Sequence, residues 1–286
     1  MKPFGVKRLI RNLDFNRRKM TICIAAGAAL NSENASIILC TDWLTSTEIG
    51  GSEVMLKQRM LLLDFFYLPS GSEAQILDLL RSLNVAFRGL KKDIFLEDEI
   101  LKATRLALFN FKREMADIFI KSRYGMSYDD FYGSGISKMP PDLFREEMAQ
   151  ISRMELETEV IIAGFAGKFA LLIETTSSGG ASIKEDFVTV GSGSYLASAS
   201  LMQREYMDVW PLDRCIYAIF EAKKYSERIG TVGKQSLISV IKPDGKRFVI
   251  SQEGLKELEG LYEKYGPQQV PLDMKFDSEF FAPVPT

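Results

Sequence analysis

The order in which strand-like and helix-like stretches follow one another constrains this chain more than any other feature. Residues 21–26 (TICIAA) and 37–41 (IILCT) are short, mostly apolar runs split by the turn segment GAALNSENAS. That pattern predicts two strands buried on both faces and paired antiparallel. A third apolar run, 60–66 (MLLLDFF), is expected to stop at Pro69. Two helices follow. Residues 72–87 place Ile76, Leu79, Leu80 and Leu83 on one face, and residues 97–122 place Ile100, Leu101, Thr104, Leu108, Phe111, Met115 and Ile118 on one side. Strands return at 159–165 and 168–175, with a tight hairpin at Ala166-Gly167, and again at 187–190. Two more helices are predicted from about 195 to 207 and from 211 to 228, the second closed by Gly230. The final strand pair is 236–241 and 247–250, joined by Pro243-Asp244-Gly245.

Parallel sheets need strands and helices to alternate, and here they do not. Helices grouped between antiparallel strand pairs predict an α+β fold, a four-layer αββα sandwich of two antiparallel sheets flanked by helices. The expected organisation is a basic extension over 1–20, one domain over 21–251, and a C-terminal helix with a proline-rich tail over 252–286. Residues 124–158 are read as an insertion in that domain. They hold a Gly/Ser turn (GSGIS), Pro140-Pro141 and a short amphipathic helix with Leu143, Phe144, Met148 and Ile151.

Among the 286 residues there is no histidine and there are three cysteines. The first fact excludes Ser-His-Asp and Cys-His catalysis and any metal site built on imidazole. The second excludes a Cys₄ cluster. Cys23, Cys40 and Cys215 are isolated and odd in number, which suits a reducing, cytoplasmic setting. No apolar run reaches the ~20 residues of a membrane-spanning helix.

Charge is divided unevenly. Residues 1–20 carry Lys2, Lys7, Arg8, Arg11, Arg17, Arg18 and Lys19 against Asp14 alone, a net +6. The remainder carries 29 basic and 37 acidic side chains, a net −8. The segment lacks the apolar stretch of a secretory signal. It can be read as a solvated arm, a removable propeptide, a basic targeting segment, or the product of a start upstream of a true one at Met20. The acidic remainder argues against a nucleic-acid contact through this arm.

A hydrolase without histidine needs another base. A threonine at a free N-terminus carries its own, because an α-amine with a pKa of roughly 7.7–8.0 is partly neutral near pH 7. Thr21 opens the first buried strand and is the candidate; a plain strand-edge role is the alternative. Asp42 ends the second strand, beside the start of the first if the two are antiparallel. Lys57 follows fifteen residues later. Gly191-Ser192-Gly193-Ser194 joins a strand to a helix. It lacks the third glycine of a dinucleotide loop, Leu196 standing there, and it lacks the Gly-Lys of a phosphate loop.

Taken together, TICIAA, IILCTDW, SEAQILDLL, EVIIAGF, VTVGSGSYLASASL and FEAKKYSERIG…SLISVI resemble N-terminal-nucleophile hydrolases of the proteasome β-subunit type, especially their bacterial ring-forming relatives. The similar stretches occur in family order over roughly residues 20–250. The resemblance implies Thr21 as nucleophile and amine base, Asp42 as the family carboxylate and Ser192 as the partner of the threonine amine. Lys57 matches the family lysine by count from Asp42, while local pattern puts Glu53 or Val54 there. The oxyanion-hole glycine falls on Pro69 or Ser70, with Gly71 serving in a shifted register. The family's Asp-x-x-Ser falls near Glu227 and Thr231. Met20 stands where self-processing relatives generally have glycine. The resemblance further implies a peptide or protein substrate, self-association into an oligomeric ring, and no metal or other cofactor. It leaves any ATPase partner unidentified. A catalytically inactive structural or regulatory subunit of the same fold is the alternative.

Overall fold

The computed structural model describes residues 21–42, 57–90, 97–230 and 232–266. The basic segment 1–20, most of the polar stretch after Asp42 with Glu53 and Val54, Thr231, and the tail from 267 lie outside the described residues. The chain divides into two units, 1–250 and 251–286.

In the first unit β1 (Cys23–Ala28) and β2 (Ser36–Asp42) are paired antiparallel, Cys23 opposite Thr41. The next elements among the described residues are β3 (Arg59–Met60), a 3₁₀ turn (Leu62–Asp64) and β4 (Phe66–Gly71). Helices α1 (Glu73–Arg88) and α2 (Glu97–Tyr124) come next, then α3 (Tyr128–Lys138) and α4 (Pro141–Ser152). Strands β5 (Thr158–Ala166), β6 (Phe169–Thr175), β7 (Ala181–Lys184) and β8 (Phe187–Val190) precede α5 (Ser194–Gln203) and α6 (Leu212–Ser226). A 3₁₀ turn (Glu227–Ile229), β9 (Ser236–Ile241) and β10 (Arg247–Val249) complete the unit. The described part of the second unit is α7 (Gln252–Tyr265), capped by the Ser251 hydroxyl, which accepts from the Gly254 N–H.

The strands form two five-stranded antiparallel sheets, β10-β9-β2-β1-β8 and β3-β4-β5-β6-β7. Alternation along each strand decides which layer a side chain enters. Cys23, Ala25, Ile37 and Leu39 of the first sheet meet Phe66, Leu68, Ile161, Ala163 and Leu172 of the second in one apolar layer. The alternate residues of the second sheet (Tyr67, Val160, Ile162, Leu171, Ile173) pack with Leu79, Leu83 and Phe87 of α1 and Ile100, Leu108 and Phe111 of α2. Helices α5 and α6 pack on β1, β2 and β8 of the first sheet. The architecture is therefore α+β, with helices on the outer faces of two facing antiparallel sheets.

Several expectations change. Pro69 does not stop a strand; it lies inside β4. Leu61 N–H donates to the Phe65 carbonyl across β3–β4, and Ser72 N–H donates to the Glu157 carbonyl across β4–β5. By antiparallel alternation, the odd residues of β4 point their backbone groups toward β3 and the even ones toward β5. Pro69 is odd and past the end of β3, so its missing N–H costs the sheet no bond. The Gly/Ser segment 133–137 is helical within α3, where Gly135 lets the Phe144 ring approach closely. Strand β7 was not anticipated. The buried face of α2 rotates toward its C-terminus: Ala116 and Ile120 are buried, while Ile118 is exposed.

All three cysteines are buried and reduced. Burial pushes the Cys40 thiol up to about 12 and raises Cys23 further. Only the thiolate is a good nucleophile, and at pH 8 a thiol of pKa 12 is about one part in 10⁴ ionised. Cys23 and Cys40 should therefore resist iodoacetamide in the native protein and label promptly in denaturant, as peptide mass spectrometry of the two states would read.

Candidate active site

The β1–β2 register continues one step past the ladder, with Asp42 N–H donating to the Ile22 carbonyl at 3.3 Å. That brings Asp42 beside the residues that lead into β1. On the other side of β1, Val190 of β8 pairs with Cys23, so the chain leaving β8 passes Thr21 with Gly191 and Ser192. Lys57 arrives just ahead of β3, from the other sheet. Strand pairing thus gathers four sequence-predicted residues from four separate segments.

Thr21 Oγ1 donates to Asp42 Oδ1 at 2.5 Å. Lys57 Nζ donates to Thr21 Oγ1 at 2.5 Å and to Asp42 Oδ1 at 2.6 Å. The Ile22 N–H reaches the same carboxylate oxygen at 3.1 Å, and the Gly233 N–H takes the other, Oδ2, at 2.9 Å. Thr21, Asp42 and Lys57 are 5%, 1% and 9% exposed. Removing an ammonium and a carboxylate from water is costly unless they are paired and their remaining lone pairs and protons are bonded. Here the two charges are paired, the carboxylate receives two backbone N–H groups as well, and the hydroxyl of Thr21 is part of that bonding.

Ser192 addresses the backbone of Thr21. The Thr21 nitrogen donates to Ser192 Oγ at 3.3 Å, and Ser192 Oγ donates to the Thr21 carbonyl at 3.3 Å. The Gly193 N–H donates to that carbonyl as well, at 3.3 Å. In the full chain the nitrogen is a peptide nitrogen, because Met20 precedes it. Gly191 has φ +103°, and a Cβ there would lie 2.4 Å from the Thr21 carbonyl oxygen. Only glycine fits such a contact in that conformation.

Pro69, Ser70 and Gly71, the three residues that the resemblance brings to the oxyanion position, close β4. Pro69 has no N–H, and its carbonyl accepts from Cys23 Sγ at 3.3 Å, which marks the edge of β4 facing the start of β1. Ser70 directs its backbone toward β5. Gly71, at φ +125°, lies opposite Thr158 at the end of β4 and keeps a backbone N–H, which Pro69 lacks. Ser70 Oγ, buried and without a hydrogen-bond partner among the described residues, lies on the inter-sheet side against Gly191.

Glu227 does not reach this group. Its carboxylate binds Lys223 Nζ at 2.5 Å and Lys224 Nζ at 3.3 Å. Thr231 lies outside the described residues. Gly233 was not foreseen: it acts through its backbone N–H, and no side-chain motif announces a backbone donor. Among the described residues no three Cys, Asp or Glu side chains converge as metal ligands would. The Thr21 hydroxyl thus has an ammonium and a carboxylate within hydrogen-bond reach, a geometry that general acid-base or nucleophilic chemistry at a hydroxyl requires. No protein-family model matches this chain, and no curated protein matches it either.

Gly191→Ala should lower stability by more than about 1 kcal/mol, since the added methyl meets the Thr21 carbonyl in a backbone conformation alanine rarely adopts. Denaturant unfolding of the variant against wild type would read the loss. Gly133→Ala, a helix position with open space around it, is the control expected to be neutral or stabilising.

Proposed function

We propose that the chain is a threonine-type N-terminal-nucleophile amide hydrolase of the proteasome β-subunit kind, a cytoplasmic peptidase working as an oligomeric ring. One observation carries the reading: Thr21 Oγ1 meets both Lys57 Nζ and Asp42 Oδ1 in a buried cluster at the start of β1. The ring and the N-terminal-nucleophile fold rest on the sequence resemblance, to which the two facing sheets conform. Among the described residues no helix is long and apolar enough to cross a membrane.

Removal of residues 1–20 turns the Thr21 nitrogen into an α-amine. The neutral amine takes the hydroxyl proton as Oγ1 attacks the substrate carbonyl carbon. The oxyanion that forms is met by the Gly71 N–H. The intermediate collapses, the C–N bond breaks and the departing amine takes the proton back, leaving an ester on Thr21. Water, deprotonated by the same amine, cleaves the ester and restores the hydroxyl. Lys57 supplies positive charge next to the developing alkoxide, Asp42 holds Lys57, and Ser192 orients the amine.

A catalytically inactive subunit of the same fold is the second reading. It is favoured by Met20, which occupies the nitrogen that must act as base.

The test uses two forms, the full chain and a chain released with Thr21 first. The Thr21-first form should hydrolyse fluorogenic peptides, and the full chain should not. Thr21→Ala should abolish turnover. Lys57→Met should lower kcat ~10²–10⁴-fold, the usual range for losing acid-base or electrostatic assistance. Only the neutral amine accepts a proton, so kcat/KM should rise with pH through the amine's pKa, ~7.7–8.0 when unperturbed. A Thr21-first chain that folds yet neither cleaves peptides nor forms an adduct with an electrophile requiring both hydroxyl and amine would establish the inactive-subunit reading instead.

A further inference from the structure

Lys223 is fully buried on the face that α6 turns toward β1 and β2, in line with Ile219, Ala222 and Ser226. A lysine at a core position is expensive unless its three donors are used. Lys223 Nζ donates to Glu227 Oε1 at 2.5 Å and to the Lys234 carbonyl at 2.7 Å. The first partner lies on the 3₁₀ turn just after the helix. The second lies across the connection to β9, immediately after Gly233. The residue between these anchors that matters is Gly233, whose N–H donates to Asp42 Oδ2 at 2.9 Å.

The same connection is pinned on its other side. A Cβ on Gly193 would lie 2.8 Å from Val232 Cγ2 and 3.0 Å from Ser226 Cβ, so the loop carrying Ser192 and the loop carrying Gly233 are packed against each other without a gap. Val232 is 4% exposed and Ser226 is fully buried, with its hydroxyl donating to the Lys223 carbonyl. The electrostatic neighbourhood agrees: Lys223, Glu227 and Asp42 all act on the Cys40 thiol, which lies on β2 two residues before Asp42.

We propose that Lys223, with Glu227, is a positioning clamp: it fixes the α6–β9 connection so that the Gly233 N–H holds Asp42 Oδ2, leaving Oδ1 to Lys57 and Thr21. Each of the two oxygens then has a separate task. A carboxylate free to rotate would exchange them, and Lys57 would lose the fixed acceptor that holds its ammonium against Thr21 Oγ1. The proposal concerns the site under the hydrolase reading and rests on it for the catalytic consequence, but the clamp itself is a structural statement that stands separately.

The experiment reads both. Amide hydrogen exchange, followed by mass spectrometry on the full chain and on the Thr21-first chain, compares wild type with Lys223→Met and Glu227→Gln. Peptides covering residues 232–237 should exchange at least 10-fold faster in Lys223→Met and by a smaller factor in Glu227→Gln, while peptides covering β2 away from Asp42 keep wild-type protection. Asp42→Asn should speed exchange over the same 232–237 peptides with Lys223 intact, because the acceptor of the Gly233 N–H is weakened. In the Thr21-first form, kcat should fall at least 10-fold in Lys223→Met with KM within twofold of wild type. Unchanged protection at 232–237 in a folded Lys223→Met protein would overturn the clamp. If Lys223→Met does not fold, Glu227→Gln decides, and wild-type protection there overturns the clamp equally. Altered exchange in a protein that never hydrolyses peptide would support the clamp and sink the hydrolase reading alone.

Discussion

At the end of β2 a carboxylate with almost no access to water receives four donors. Three of them, the Thr21 hydroxyl, the Lys57 ammonium and the Ile22 N–H, meet one oxygen of Asp42; the Gly233 N–H meets the other. A buried carboxylate tolerates no missing partner, since an uncompensated charge there costs several kcal/mol. The donors come from the start of β1, from the segment entering β3 and from the connection into β9. Satisfying one side chain therefore fixes the mutual placement of both sheets and of the loop behind α6. The geometry around Thr21 follows from that constraint.

The packing of the rest of the domain holds this point steady. Helices α1 and α2 cover one sheet with Leu79, Leu83, Phe87, Leu108 and Phe111, and the Tyr67 hydroxyl reaches across to donate to the Ile76 carbonyl at 3.1 Å. Between the sheets, Gln58, the neighbour of Lys57, accepts from Ser239 Oγ at 2.6 Å and Arg247 Nη2 at 2.7 Å, and donates to the Leu237 carbonyl at 2.9 Å. Lys57 thus emerges from a residue tied into β9 and β10. The close approaches at Gly191 and Gly193 put the Ser192 turn in direct contact with the Thr21 carbonyl and with the Gly233 loop.

Much of this could be read from the residues, for identifiable reasons. Strands β1, β2, β5, β6, β8 and β9 are continuous apolar runs bounded by turn residues, and α1 and α2 have a clear apolar stripe, so element type was plain. The convergence of Thr21, Asp42, Lys57 and Ser192 followed from strand pairing plus the spacing carried by the resemblance. What stayed hidden had one character. Gly233 acts through its backbone N–H, and a backbone donor leaves no mark on residue type. Pro69 looked like a strand breaker because which edge of a strand is unpaired is a property of the sheet. Glu227 looked like a site residue by motif offset, yet one helical turn of separation from Lys223 gave it a nearer partner. Gly133 and Gly135 suggested a turn, and the contact of Gly135 with Phe144 explains why glycine sits in a helix there.

The central claim is that Thr21 is both nucleophile and base, and the base exists only when nothing precedes it. Intact mass and N-terminal sequencing of the protein isolated from its own cells test this directly. The account predicts a chain whose first residue is Thr21. A chain that still carries residues 1–20, with Met20 bonded to the Thr21 nitrogen, would contradict it.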